Sequence, residues 1–173
     1  AIQGALTGHL VLSTVHTNDA AGAIPRFLAM GTKAFLLAPA LNAIVAQRLV
    51  RKICTNCIVE VNLDTATLER AMHLLSSIPA TSGYRVDIEK ELKFKKGPGC
   101  EQCQGLGYRG RVGIFEVLLV DATVEKTILG GSVSEYQMRE IAVEQGMITM
   151  VQDGLLKALD GITTVDEVFR VAQ

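Results

Sequence analysis

Two cysteine pairs constrain the fold of this chain more than any other feature of its sequence. Cys54 and Cys57 form one C-x-x-C motif, Cys100 and Cys103 form a second, and residues 58–99 separate them. A C-x-x-C turn points two thiolates to one side, and two such turns complete the tetrahedral shell of four sulfurs that zinc prefers. We therefore predict one Zn²⁺ ion bound by these four cysteines, fastening the segment 58–99 to the rest of the chain.

The predicted role of this zinc ion is structural. Four protein ligands leave no open coordination position for a water molecule, so a metal-activated nucleophile is not expected. Two disulfide bonds, or four buried thiols without a metal, are the alternatives, and disulfides are rare in cytosolic proteins.

Composition and charge narrow the possible functions. The 173 residues are 49% hydrophobic, enough for one folded domain with a small appendage. The formal net charge is -1 and both signs are spread along the chain, so no nucleic-acid partner is expected. The longest apolar stretch, 34–46, is broken by Pro39 and Asn42 and is shorter than the roughly 20 residues of a membrane-spanning helix. With no recognisable signal peptide, a cytoplasmic location is expected.

The beginning of the chain follows an α/β pattern. The apolar, β-branched stretch 9–15 (HLVLSTV) predicts a buried strand of a parallel sheet. Polar side chains at 17–19 offer caps for a helix that runs to about Met30 and is kinked by Pro25, and a second helix is predicted for 32–48. A strand followed by two helices is typical of the edge of an α/β nucleotide-binding domain.

The rest of the chain divides into an insertion, a strand and helices. The segment 53–108 holds all four cysteines and one amphipathic helix that begins after Asp64, and 111–120 is predicted to be a strand. Capping residues predict that the remainder is helical, with helices starting after Ser134, Thr149 and either Thr163 or Thr164.

Two histidines, His9 and His16, stand at the ends of the predicted strand. At roughly 3.3 Å per residue they would lie about 23 Å apart in a straight strand and could not share one site. Ligands of open α/β sheets bind beyond the carboxyl ends of the strands, which puts His16, Thr17 and Asn18 at the ligand edge. A single histidine at a strand end is more often hydrogen-bonded or exposed than catalytic, so spacing alone leaves the role of His16 open.

The string Gly105-x-Gly107-x-x-Gly110 satisfies the dinucleotide-binding fingerprint in the wrong setting. That fingerprint needs a strand before it and a helix after it, whereas here a cysteine turn precedes it and a strand follows. We therefore reject a dinucleotide site.

Four stretches of the sequence resemble one protein family, the ATPases of type II secretion and type IV pilus assembly. The histidine box of these ATPases is similar to ALTGHLVLSTVHTNDAAGAI. The segments that enter and leave their tetracysteine subdomain are similar to QRLVRKICTNC and GCEQCQGLGYRGRVGIFEVL, and their C-terminal end resembles DGLLKALDGITTVDEVFRV. The resemblance covers nearly the whole chain in the family's order, so it is far more specific than any single motif.

The resemblance implies a fold and an activity. The chain would be the C-terminal portion of a RecA-like P-loop ATPase domain of the α/β class, with a tetracysteine zinc insertion and a small helical end domain. The implied segments are 1–52 for the ATPase core with the histidine box, 53–110 for the zinc insertion, and 111–173 for the returning strand and the helical end. The implied protein binds ATP and Mg²⁺, forms a homohexamer, and couples ATP hydrolysis to pilus assembly or protein secretion.

The resemblance also implies partners, a location and missing parts. Members of the family act on a platform protein of the inner membrane, so this protein is expected in the cytoplasm and peripheral to that membrane through its partners. Their phosphate loop (Walker A), their acidic catalytic box and their magnesium-holding box (Walker B) precede the histidine box. No G-x-x-x-x-G-K-[ST] occurs here, so we expect part of a longer protein, and we expect these residues alone not to hydrolyse ATP.

The resemblance assigns site residues as well. His16 and His9 belong to the histidine box and are the implied catalytic residues, with His16 favoured by the strand geometry. Arg111 follows the zinc insertion and matches an arginine near the nucleotide, where its fork of donors suits phosphate oxygens. A salt-bridged strand residue is the alternative for Arg111. Thr17 and Asn18, beside His16, are the other expected nucleotide contacts.

A free-standing zinc-binding interaction module is the alternative function. Basic residues do surround the cysteines, but acidic residues offset them and Phe94 is the one aromatic side chain among them, so a platform for stacking bases is not evident. Retraction ATPases of the same superfamily share the histidine box but typically lack the four cysteines. The cysteines therefore favour an assembly or secretion ATPase over a retraction ATPase. Assembly and secretion themselves stay open.

Overall fold

Eight α-helices and four strands, two of them long and two short, make up the described part of the chain. The computed structural model describes residues 1–87, 92–131 and 133–172. In these ranges the α-helices are α1 (Ile2–Leu6), α2 (Ala23–Ala29), α3 (Ala34–Leu37), α4 (Thr65–Ser76), α5 (Ala122–Leu129), α6 (Glu135–Glu144), α7 (Met150–Leu159) and α8 (Val165–Val171). The strands are β1 (Ala43–Ile53), β2 (Val59–Val61), β3 (Phe94–Lys96) and β4 (Tyr108–Leu119). This mixture agrees with the predicted α/β class. Over the same residues, no helix combines the length and apolar character that crossing a membrane requires.

The predicted buried strand at 9–15 is wrong. Residues 9–16 form neither helix nor strand, and Leu10 and Leu12 are 86% and 88% exposed. A strand is stabilised by hydrogen bonds to a neighbouring strand, and the sheets of the described residues are built from other segments. Among the described residues, no neighbouring strand pairs with this apolar stretch. The distance of about 23 Å between His9 and His16 assumed a straight strand and loses its basis. The placement of His16, Thr17 and Asn18 at a ligand edge, and with it the geometric preference for His16 over His9, loses its basis as well.

The second predicted helix, 32–48, is wrong beyond its first turns. α3 ends at Leu37, a 3₁₀ turn that contains Pro39 follows, and β1 begins at Ala43. β1 pairs with β4 in a two-stranded sheet, which satisfies backbone hydrogen bonds of both strands. The several β-branched residues of β1 favour this extended conformation. The apolar run is compatible with a helix or a strand, and the pairing partner decides between them.

The first predicted helix begins later than expected. α2 starts at Ala23, and the carboxylate of Asp19 accepts a hydrogen bond from the backbone N–H of Gly22 at 2.7 Å in the preceding turn. Pro25 therefore lies in the first turn of α2, where a backbone N–H has no intrahelical partner to lose. The kink predicted at Pro25 has no cause at this position.

The helix starts predicted from capping residues are confirmed. Asp64 caps α4, and α6, α7 and α8 begin after Ser134, Thr149 and Thr164. Each of these side chains accepts a hydrogen bond from a backbone N–H of the first turn, which satisfies a donor that the helix itself cannot pair. The strand predicted at 111–120 is also confirmed, as β4.

The chain divides into two compact units. The first unit comprises Ala1–Ala46 and Glu116–Met147, and the second comprises Gln47–Phe115 and Ile148–Gln173. The chain passes between them within β1, within β4 and just before α7. Helices α7 and α8 thus belong to the same unit as the cysteines. The division into 1–52, 53–110 and 111–173 made from the sequence stays a prediction.

Each unit has its own apolar core. In the first unit, α2, α3, α5 and α6 contribute to a cluster whose fully buried members include Ile24, Leu37, Leu118, Ile128 and Met138. In the second, α4, α7, α8 and β3 contribute to a cluster that includes Ala71, Leu75, Phe94, Leu155 and Val168. β2 pairs antiparallel with β3, with Val59 opposite Lys96 and Val61 opposite Phe94.

A buried carboxylate, that of Glu167 in α8, joins the last helix of the second unit to β1. Glu167 is 1% exposed. Arg170 donates to both carboxylate oxygens at 2.8 Å, and Arg51 on β1 donates through its guanidinium at 2.5 Å and its backbone N–H at 3.1 Å. The hydrogen bonds from Arg170, followed by those from Arg51, outweigh the effect of burial and hold the pKa of Glu167 well below its usual range.

Further contacts beside Glu167 fasten both long strands to the start of α8. Thr163 donates through its hydroxyl to the carbonyl of Arg51 at 2.8 Å. The hydroxyls of Tyr108 and Thr164 lie 2.9 Å apart, and the guanidinium of Arg51 lies 4.2 Å from the centroid of the Tyr108 ring. The end of β1 and the beginning of β4, which lead to and from the cysteines, are therefore held by the C-terminal helix.

We expect Glu167→Gln to lower the free energy of unfolding by about 1–3 kcal/mol, because a neutral amide leaves two guanidinium groups without their carboxylate. Asp166→Asn is the matched control, since Asp166 lies in the same helical turn with an exposed side chain. It should change the free energy by less than about 0.5 kcal/mol. Urea unfolding followed by circular dichroism measures both variants, and equal losses would contradict the role given to Glu167.

The same network predicts a pH dependence of stability. Because the folded-state pKa of Glu167 is lowered, its contribution is fully present above the unfolded-state pKa of about 4.3 and is lost as the pH falls below that value. The wild-type chain should therefore lose stability more steeply than Glu167→Gln between about pH 5 and pH 2. Parallel curves of unfolding free energy against pH would contradict this assignment.

Candidate functional site

The two cysteine pairs converge on one point in the second unit. All four Sγ atoms lie within 4.8 Å of one another, with Cys54 and Cys100 at 3.9 Å, Cys57 and Cys103 at 3.9 Å, and Cys100 and Cys103 at 3.6 Å. Sulfurs bound tetrahedrally to one metal ion at about 2.3 Å would lie about 3.8 Å apart. The four cysteines are free thiols, because their Sγ atoms are much farther apart than the about 2 Å of a disulfide bond. Their arrangement therefore fits a single four-coordinate metal ion, and the disulfide alternative is not seen.

Backbone groups hold the second cysteine pair in this shape. The backbone N–H groups of Cys100 and Gly107 each donate to Sγ of Cys103 at 3.2 Å. Gln104 adopts the left-handed conformation, with φ of 53°, which turns the chain directly after the pair. The backbone N–H of Cys54 donates to the carbonyl of Gly107 at 2.9 Å and so connects the two pairs.

The surroundings of the sulfurs favour thiolates at two positions. The amide of Asn56 donates to Sγ of Cys100 at 3.4 Å and, with backbone hydrogen bonding, lowers the pKa of Cys100 to about 6. Burial raises the pKa of Cys103, but the N–H groups of Cys100 and Gly107 more than offset it and bring the pKa below its usual value. Burial raises the pKa of Cys57 to about 12. Metal binding would therefore release protons from this cluster.

Paired glycines allow the backbone to close around the second cysteine pair. A Cβ on Gly107 would lie 2.0 Å from the carbonyl oxygen of Gly97, and a Cβ on Gly97 would lie 2.1 Å from that of Gly107. A Cβ on Gly99 would likewise lie 2.5 Å from the carbonyl oxygen of Gly105, whereas a Cβ on Gly105 would meet no atom within 4 Å. One glycine of the rejected dinucleotide string, Gly107, is thus required by the close approach of two backbone segments beside the cysteines. The sequence shows these glycines but not which ones face each other.

We expect Gly107→Ala to lower the free energy of unfolding by more than about 2 kcal/mol, because the new methyl group would overlap a backbone carbonyl and Gly107 has a left-handed φ of 75°. Gly110→Ala is the matched control. Its φ of 81° is equally left-handed, but its Cβ would meet no atom within 4 Å. In the control, the free energy of unfolding should fall only by the cost of placing alanine in the left-handed conformation, about 1–2 kcal/mol. Equal losses in urea unfolding would refute the close approach.

We expect the purified chain to hold one metal ion per chain, because four thiol groups of suitable spacing converge. Elemental analysis of protein purified without a chelator measures the ratio of metal ions to protein chains. Cys103→Ser should lower both the metal content and the melting temperature, whereas Thr55→Ala, an exposed change between Cys54 and Cys57, should alter neither. A wild-type ratio near zero, or disulfide bonds among the cysteines, would rule the metal centre out.

The residues predicted to contact the nucleotide are in both units. His9, His16 and Asn18 are exposed in the first unit, and the ring of His9 shares a hydrogen bond of 3.0 Å with the hydroxyl of Thr7. Thr17 is partly buried and donates through its hydroxyl to the carbonyl of Asp19 at 2.8 Å. Arg111 is exposed on the part of β4 that belongs to the second unit. The roles of these residues stay predictions.

The family resemblance inferred from the sequence is confirmed by comparison with known proteins. The chain belongs to the type II/IV secretion system protein family, whose sequence profile matches residues 1–170. It is 45% identical to the type IV pilus assembly ATPase PilB of Thermus thermophilus over 97% of this chain and 18% of that protein. It is 41% identical to PilB of Myxococcus xanthus over 96% of this chain and 28% of that protein. Type II secretion system protein E of Dickeya dadantii is 40% identical over 100% of this chain and 31% of its own length. The chain thus spans less than a third of the length of these relatives.

Proposed function

We propose that this chain is part of an ATPase that couples ATP hydrolysis to type IV pilus assembly or type II protein secretion. The observation that carries the proposal is the similarity of nearly the entire chain, at 40% to 45% identity, to two proteins named type IV pilus assembly ATPase and one named type II secretion system protein. Because relatives of both kinds match at nearly the same identity, the proposal covers both processes.

The proposed enzyme is a RecA-like P-loop ATPase that works as a homohexamer. ATP and Mg²⁺ would bind with the help of a phosphate loop, which the residues of this chain do not supply. The coarse α/β character of the chain is compatible with its being the C-terminal portion of such a domain. The implied partner is a platform protein of the inner membrane, which would keep the enzyme in the cytoplasm and peripheral to that membrane.

The segment that carries His16, Thr17 and Asn18 is the proposed contribution of the first unit to nucleotide hydrolysis. The imidazole of His16 is exposed and therefore available to a ligand. In the proposed role it contacts the phosphate side of the nucleotide or orients the attacking water, while Thr17 and Asn18 offer hydrogen bonds to phosphate oxygens. His9 is kept as a second catalytic candidate, and Arg111 as a guanidinium that binds phosphate.

The metal held by the four cysteines is inferred to be zinc. Four sulfur ligands in a tetrahedral arrangement are typical of structural zinc, and iron is the other metal that such sites hold. Cys54, Cys57, Cys100 and Cys103 would supply the complete shell, so the ion would stabilise the fold and take no part in hydrolysis. The elemental analysis described above also separates the two metals, since a site filled with iron would contradict this inference.

We expect the protein encoded by the complete reading frame that contains this sequence to hydrolyse ATP. His16→Ala in that protein should lower kcat by roughly 10- to 1000-fold with little change in nucleotide binding, the loss expected for one transition-state contact. His73→Ala is the matched control, because His73 is exposed on α4 and has no proposed part in the reaction. ATPase rate at saturating ATP and Mg²⁺ is measured together with the fraction of hexamer.

The same assay includes His9→Ala and decides between the candidate functions. If His9→Ala abolishes turnover in intact hexamers while His16→Ala does not, the ranking of the two histidines is wrong. If the complete protein binds zinc but has no ATPase activity and its reading frame has no phosphate loop, the free-standing zinc module replaces the proposed ATPase.

A further inference from the structure

The segment that carries His16 is anchored immediately after its functional candidates. Asp19 is 8% exposed, and one carboxylate oxygen accepts the backbone N–H of Gly22 at 2.7 Å. The other oxygen forms an ion pair with the guanidinium of Arg139 in α6. Thr17 is tied to the same point, because its hydroxyl donates to the carbonyl of Asp19 at 2.8 Å.

A second side chain from outside the segment holds the next residue. The backbone N–H of Ala20 donates to a carboxylate oxygen of Glu116 on β4 at 2.7 Å, and Glu116 is itself 5% exposed. Ala20 and Ala21 are buried in the core of the first unit. The chain therefore enters that core at Asp19 and Ala20, within four residues of His16.

On the other side of His16, the contacts seen among the described residues are local: the backbone N–H of His9 donates to the carbonyl of Gly4 at 3.1 Å, and its ring shares a hydrogen bond with Thr7. Residues 9–16 form no helix or strand, and most of them are exposed. Within the first unit, the position and direction of His16, Thr17 and Asn18 thus follow from the turn that comes after them. Asp19, through its carboxylate, links that turn to α6.

The guanidinium of Arg139 is itself oriented by its surroundings. Glu135, one turn earlier in α6, accepts from the same guanidinium nitrogen at 3.2 Å. Space at this point is limited, since a Cβ on Gly22 would lie 3.1 Å from Asp19 Oδ1 and 3.2 Å from Glu135 Oε2. We name this cluster the Asp19 anchor; it consists of Asp19, Gly22, Glu135 and Arg139.

We propose that Arg139 is a positioning residue for ATP hydrolysis, which acts through Asp19 to hold the segment 16–18 in its working orientation. The inference rests on the proposed function of that segment. Arg139 touches none of the reacting groups in this role. It makes α6, a helix of the C-terminal part of the chain, responsible for the geometry of residues far earlier in the sequence.

The exposure of the ion pair separates this role from a general effect on stability. The side chain of Arg139 is 46% exposed, so solvent screens its charge, and the carboxylate of Asp19, whose side chain is 11% exposed, keeps its hydrogen bond from the backbone N–H of Gly22 when Arg139 is replaced. Removing Arg139 should therefore leave the fold intact and loosen the turn at 17–22. A residue whose removal alters a local geometry but not the melting temperature is the expected signature of positioning.

The test uses the protein of the complete reading frame and three variants. In Arg139→Gln, kcat should fall roughly 10-fold or more, the KM for ATP should change less than about 3-fold, and the melting temperature should stay close to wild type. Arg139→Lys keeps the charge and should recover most of the rate. Arg26→Gln, which removes an exposed guanidinium from neighbouring α2, should behave like wild type.

Hydrogen exchange of the same proteins supplies a readout that does not depend on activity. In Arg139→Gln the amide of Gly22 and the peptide 16–22 should exchange faster than in wild type, while α7 and α8 should not change. Unchanged exchange in 16–22, an unchanged kcat, or a loss that Arg139→Lys fails to rescue would each overturn the inference. If the wild-type protein shows no ATPase activity, the proposed function fails, and faster exchange in Arg139→Gln would then show an anchor without a catalytic role, which also overturns the inference.

Discussion

The carboxylate of Glu167 is buried between two guanidinium groups, and much of the second unit depends on that contact. A charged group can remain buried only if its hydrogen bonds are replaced within the protein, and here Arg51 and Arg170 replace them. Because Arg51 lies three residues before Cys54, the same contact fixes the approach of the chain to the cysteines. Tyr108, which follows the second cysteine pair, is held by the start of the same helix. The segments on both sides of the candidate metal centre are therefore held by a helix that lies far away in sequence.

The features that the sequence predicts correctly are those determined by local interactions. A cap needs only a polar side chain and the backbone amides of the next turn, so the sequence identifies Asp64, Ser134 and Thr149, and narrows the last cap to Thr163 or Thr164. The cysteine cluster was predictable for a related reason, since thiol spacing within each pair and metal preference are short-range chemistry. Strands depend on partners that spacing does not reveal. The stretch at 9–15 lacks such a partner among the described residues, and β1 has one, so the strand predicted at 9–15 and the part of the second predicted helix that overlaps β1 are both wrong.

The same limit applies to the candidate sites. The glycines around the cysteines are visible in the sequence, but the reciprocal close approach of Gly97 and Gly107 appears only when both backbone segments are in place. Asp19 was predicted only as a helix cap, and it does accept a backbone N–H, but its ion pair with Arg139 spans 120 positions in sequence. Motif resemblance identified the family, because several short segments in the right order carry more information than any one of them.

The spacing of the two cysteine pairs has a consequence for synthesis of the protein. Cys54 and Cys100 are 46 positions apart, so the first pair leaves the ribosome well before the second. At roughly 5–20 residues per second, Cys54 and Cys57 wait about 2–10 s as an incomplete two-thiol site. Two thiolates supply half of the four-sulfur shell, so a metal ion would be held less firmly during that interval. Completion of the centre, and the closing of 58–99 into place, is therefore a late event that follows translation of the second pair.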